Sequence, residues 1–159
     1  MKKIVFIVVA ALAVLAAGVL LSGRDGAAQA YIDPSDQAIV ARGNTVYADH
    51  CAACHGAKLE GQPNWRERMA NGRLPAPPHD VNGHTWHHPD AVLVDIVRHG
   101  LVPGKTAPDG YESDMPAYGQ VLSDAEVVAV LAYIKSRWPK EALEAQKEVS
   151  LQHPRRAGG

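Results

Sequence analysis

Apolar positions fall into four groups along the chain. The first is an unbroken run, Ile4–Leu21, that follows Lys2 and Lys3. The other three carry helical spacing. Over Ser35–His50 the stripe is Ile39, Val40, Gly43, Val46 and Tyr47, with Ser35 as cap and Asp36 favouring the helix N-terminus. Over Asp90–His99 it is Val92, Leu93, Ile96 and Val97. Pro89 suits the first helical position there, and Gly100 suits the stop. The last stripe, Val127, Val128, Val130, Leu131, Ile134 and Trp138, follows Ser123-x-x-Glu126, a capping box, and Pro139 interrupts it. Residues 140–152 are helix-prone but mostly polar, which predicts a surface helix or a frayed tail. The final HPRRAGG reads as disordered.

Strand-type alternation is absent, so an all-α domain is expected. Residues 56–89 and 102–122 are dense in Gly, Pro, Asn and Asp. Loops of that length are uncommon in a compact domain unless they serve a function, here wrapping something. Gly43 is informative within its stripe. Glycine costs about 1 kcal/mol against alanine inside a helix, and close backbone approach by another element is the usual compensation.

The leader sets the compartment. Two lysines before an apolar run keep the N-terminus inside and send the rest of the chain outward. Ala28-Gln29-Ala30 fits cleavage before Tyr31, yet the run of 18 residues is also long enough for a retained membrane anchor. Either way, residues 1–30 are an address and the domain begins at residue 31. At 159 residues and net charge −1 the chain is one ordinary domain without the basic surface that nucleic acid requires. It has 2 cysteines, too few for a disulfide-stapled scaffold.

Those cysteines stand in Cys51-Ala52-Ala53-Cys54-His55, the C-x-x-C-H pattern of c-type haem attachment. Two thiols about one helical turn apart reach the two vinyl groups of one haem, and the next residue offers an imidazole to the iron. A thioredoxin-type pair shares C-x-x-C but lacks the histidine and sits in a βαβ setting. A zinc site needs further ligands, and no second cysteine pair exists. For the opposite face of the iron, Met69 follows His55 too closely to travel round a haem edge. Met115 has a helix between, and sits in a loop rigidified by Pro116.

The domain resembles class I c-type cytochromes, particularly small bacterial monohaem ones with an N-terminal signal or anchor. The likeness covers about residues 36–138. It rests on Gly43 and Tyr47 ahead of Cys51–Gly56, on Met115-Pro116-Ala117-Tyr118-Gly119, and on Leu131, Tyr133, Ile134 and Trp138. It implies an all-α domain wrapped round one covalent haem c, with residues 31–139 as the cytochrome domain and 140–159 as a polar tail. It implies a helix crossing at Gly43, with Tyr47 and Tyr133 alongside. It also implies a proline carbonyl for the axial histidine's N–H, for which Pro77 is chosen over Pro75 and Pro78. His55 and Met115 then ligate the iron, and the protein is an electron carrier in the periplasm rather than an enzyme. Redox donor and acceptor proteins, of a respiratory complex or a dehydrogenase, are the implied partners. The N-terminal run would meet the membrane if it is retained.

Gly83-His84-Thr85-Trp86-His87-His88 departs from the general pattern. It reads in three ways. The cluster lines the haem edge, with Trp86 packed on the ring. Or it is surface, with His88 capping the helix that follows. Or His84, His87 and His88 bind copper as an accessory module, or one of them replaces Met115. A distal histidine would also suit a haem peroxidase. Trp65 and Tyr118 lie either near the haem edge or in ordinary packing. Acidic side chains slightly outnumber basic ones over residues 56–115, and no lysine ring is visible.

Overall fold

The computed structural model describes residues 31–153. The apolar run Ile4–Leu21, the cleavage site and the tip of the C-terminal tail lie outside the described residues. Among the described residues no helix is long and apolar enough to cross a membrane. The regular elements there are helices, α1 Gln37–His50, α2 Ala52–His55, α3 Asp90–His99, α4 Asp124–Ser136 and α5 Lys140–Gln152, joined by long loops. A single 3₁₀ turn, Thr85–His87, precedes α3.

The helix ends obey local chemistry, with small shifts from expectation. Asp36, not Ser35, caps α1, its Oδ1 accepting from the backbone N–H of Ala38 and Ile39. Pro89 takes the cap position of α3 rather than the first helical one, and His88 supplies no cap bond. The cap comes from far away in sequence, because Asp90 N–H donates to Ser150 Oγ of α5 at 3.0 Å. Ahead of α4, the Glu126 carboxylate accepts from both Ser123 N–H (2.9 Å) and Ser123 Oγ (2.7 Å).

The crossing of α1 on α4 organises the core. A Cβ at Gly43 would overlap the Ala129 carbonyl and stand 2.9 Å from Tyr133 Cβ, so the two helices meet backbone to backbone at this point. Tyr47 and Tyr133 pack beside the crossing with centroids 5.4 Å apart. Val46, Tyr47, Val127, Val130, Leu131, Ile134 and Trp138 fill the interface and its surroundings. Ile39, expected on the buried stripe, is exposed. In α3 the buried apolar pair is Leu93 and Val94, with Val92, Ile96 and Val97 half-buried.

The largest difference from expectation is α5. It is neither frayed nor wholly at the surface. Ala142, Gln146 and Ser150 recur every fourth residue on one face, and that face is buried. Two of the three are polar, which is why an apolar stripe is not visible. They meet Asp90, itself buried, which also accepts from Ile32 N–H at 2.6 Å. Gln146 Nε2 donates to Asp90 Oδ1 at 2.7 Å, and Lys135 Nζ reaches both Asp90 oxygens at 2.8 Å. Burial pulls the Lys135 ammonium down to about 8 against the attraction of Asp90.

Candidate functional site

The C-x-x-C-H segment begins where α1 ends. Cys51 closes α1, with its N–H on Tyr47 O at 2.9 Å, and α2 carries Ala52–His55 in one turn. Both thiols are free; Cys51 is half-buried and Cys54 exposed. Burial and the neighbouring Cys54 push the Cys51 thiol up to about 11. A reactive dithiol works through a depressed thiol pKa, and the shift at Cys51 runs the other way. The turn is locked by Tyr47, whose hydroxyl donates to Gly56 O at 2.9 Å.

His55 is buried, 8% exposed. Its Nδ1 lies 2.8 Å from Pro77 O. A carbonyl only accepts, so Nδ1 bears the proton and Nε2 keeps its lone pair. Burial lowers the pKa of this ring, partly offset by the Pro77 bond, and so favours the neutral form a metal ligand needs. The donor set therefore fits a c-type haem: two free thiols on one turn, followed by a neutral imidazole with an unspent nitrogen.

His79, which sequence reasoning left among loop residues, lies against this imidazole. The two rings stack with centroids 3.9 Å apart and planes 21° from parallel. No periodicity marks a half-buried side chain inside a Pro-rich loop; the only hint is its position two residues after Pro77.

The Met115 loop is held from two sides. Tyr118 N–H donates to Val97 O and Gly119 N–H to Arg98 O, each at 3.0 Å, tying the loop to the last turn of α3. The Tyr118 hydroxyl donates to His50 O at 2.7 Å, one residue before Cys51. Tyr118 thus anchors the loop. Met115 itself is half-buried, and its N–H donates to Ser113 Oγ at 3.0 Å. Gly100 stops α3 at φ 75°, and a Cβ there would stand 3.1 Å from Met115 O. Both the left-handed backbone and the close carbonyl call for glycine. Arg73 pairs with Asp114 and lies 3.6 Å from Glu112, linking the two long loops. Met69 is exposed.

The histidine-rich segment does not converge on one point. His84 stacks on Trp65, and His88 meets His84 edge-on at 5.5 Å. His87 stacks on Trp86 at 3.7 Å. Trp86 sends its Nε1–H to Val81 O at 3.4 Å and packs on the edge of the core. Among the described residues no group of three or more His, Cys, Asp or Glu is arranged to hold a metal ion. From this segment Thr85 bonds the ring stacked on His55, through its hydroxyl and His79 Nδ1 at 2.9 Å.

Comparison with known proteins places these features in context. Residues 40–138 match the family model described as Cytochrome c. The FixP subunit of a cbb3-type cytochrome c oxidase from Azorhizobium caulinodans is 28% identical over 99 residues, which is 60% of this chain and 28% of that protein. A CcoP subunit of the same oxidase type from Azospirillum brasilense is 30% identical over 101 residues, 63% of this chain and 29% of that protein. The cytochrome c subunit of gluconate 2-dehydrogenase from Pantoea cypripedii is 31% identical over 97 residues, 60% of this chain and 20% of that protein. The aligned region spans less than a third of the length of each of these curated relatives. No solved structure matches the chain.

Proposed function

The chain belongs to the cytochrome c family, and on that premise we propose that it is a monohaem electron carrier with His55 and Met115 as the iron's two axial ligands. Family membership implies covalently held haem c and electron transfer. Bound haem supplies the one-electron chemistry; the polypeptide attaches, orients and shields it. Cys51 and Cys54 hold the group by thioether bonds at the end of α1. His55 presents Nε2, with Pro77 O fixing its tautomer. Met115 offers a thioether from a loop anchored to His50 and α3. Two protein ligands leave no open coordination position, which favours electron transfer over oxygen chemistry.

The observation that carries this reading is the hydrogen bond from His55 Nδ1 to Pro77 O. It commits one nitrogen to the protein and reserves the other. The test is the oxidised-state absorption spectrum of the haem-loaded protein and of Met115→Ala. The weak far-red band of sulfur-ligated ferric haem is expected in the wild type and absent from the variant. A wild type without the band would move the sixth ligand away from Met115.

The same proposal extends to setting and partners. Residues 1–30 direct export, and residues 31–139 act in the bacterial periplasm, free after cleavage near Ala30 or tethered by residues 4–21. The named relatives are cytochrome c subunits of an oxidase and a dehydrogenase. Redox proteins of those kinds are the partners proposed here, as donor and acceptor.

A further inference from the structure

The bond from His55 Nδ1 to Pro77 O restrains where one ring atom points. A single hydrogen bond still leaves the ring free to swivel about the line of that bond. A flat neighbour at contact distance removes that freedom, and His79 is such a neighbour, at 3.9 Å and 21°.

His79 is itself held at three places. Its N–H donates to Leu59 O at 2.8 Å. Its carbonyl accepts from Trp138 Nε1 at 2.8 Å. Its ring shares a 2.9 Å hydrogen bond with Thr85 Oγ1. Leu59, Trp138 and Thr85 are all buried, at 1%, 7% and 7% exposure. The ring is therefore fixed to the core, the end of α4 and the 3₁₀ turn together. An aliphatic side chain in its place would fill the volume without offering a flat face or a partner for Thr85.

We propose that His79 is a positioning residue that sets the plane of the His55 imidazole. The inference rests on His55 being a ligand of the haem iron, as read above. An imidazole ligand shares π density with its metal perpendicular to the ring plane. Fixing that plane therefore fixes the direction in which unpaired spin spreads over the haem. Precise orientation by supporting residues is how a protein tunes a metal ligand without touching the metal.

The test is proton NMR of the ferric, haem-loaded protein, whose haem-methyl shifts report the ligand plane. His79→Phe keeps the flat face and loses the Thr85 bond; it should retain the wild-type order of methyl resonances. His79→Leu loses both and should reorder the resonances or compress their spread. Thr85→Val, which frees only the far side of the His79 ring, should compress the spread less. Methyl shifts of His79→Leu that match the wild type would overturn the proposal. If that variant yields no folded protein, His79→Gln, which keeps a partner for Thr85 but loses the flat face, decides, and an unchanged pattern there overturns the proposal equally. A wild-type spectrum lacking strongly shifted His55 ring protons would instead overturn the ligand reading, and the proposal with it.

Discussion

Glu126 ionises far more readily than a free carboxyl. The Ser123 hydroxyl and backbone N–H bond to it, Arg42 stands 3.3 Å away, and together they hold it at about 2. In the unfolded chain a glutamate titrates near pH ~4.3. The folded state therefore favours the ionised form. The stabilisation is complete above the unfolded value and is lost as pH falls through about 2. Thermal melts of wild type and Glu126→Gln should differ most above about pH 5, with the gap closing on acidification. Ser123 and Glu126 were legible in the sequence, as was Cys51–His55, because each uses a short motif whose spacing is its mechanism; Arg42, brought in from α1, was not. Pro77 needed the family likeness to be picked from three prolines. His79 was not legible, since its placement depends on Leu59 and Trp138, 20 and 59 positions away, as well as on nearby Thr85.

Between elements, Gly43 has the sharpest consequence. Adding atoms to a packed interface usually costs about 1–3 kcal/mol. At this position the obstacle is the Ala129 carbonyl, which cannot rotate away as a side chain would. Gly43→Ala should therefore lose at least about that much stability, measured by denaturant unfolding of the haem-loaded protein. The glycine's cost within its helix and its compensation at the crossing were both readable from one residue out of place in an apolar stripe. The α5 helix shows the reverse. Its buried face is Ala142, Gln146 and Ser150, a small residue and two polar ones. Hydrophobic periodicity detects burial only when the buried side chains are apolar. A face that docks by hydrogen bonds onto Asp90 leaves no such trace.

For the molecule as a whole, Asp90 is the point where separate parts meet. Ile32, Lys135, Gln146 and Ser150 all bond to it, and the ring of Tyr31 lies 3.8 Å from Lys135 Nζ. Removing one partner of a buried ion pair typically costs about 3–5 kcal/mol, because the remaining charge is stranded. Lys135→Met should lose about that much in chemical denaturation, and the double variant with Asp90→Asn should recover part of it. This centre was out of reach of sequence reasoning. A lone Asp after Pro89 reads as a helix-start residue, and a lone Lys near a helix end reads as a dipole partner.

The meeting at Asp90 also has a bearing on time. Its bonds join residues 58, 60, 56 and 45 positions apart, and each closes a loop whose entropy must be overcome before the contact forms. Contacts of that range belong late on a folding route. The Cys51–His55 turn, by contrast, is built from neighbours in sequence. Its thiols therefore share a turn whose own bonds need none of these long loops to close.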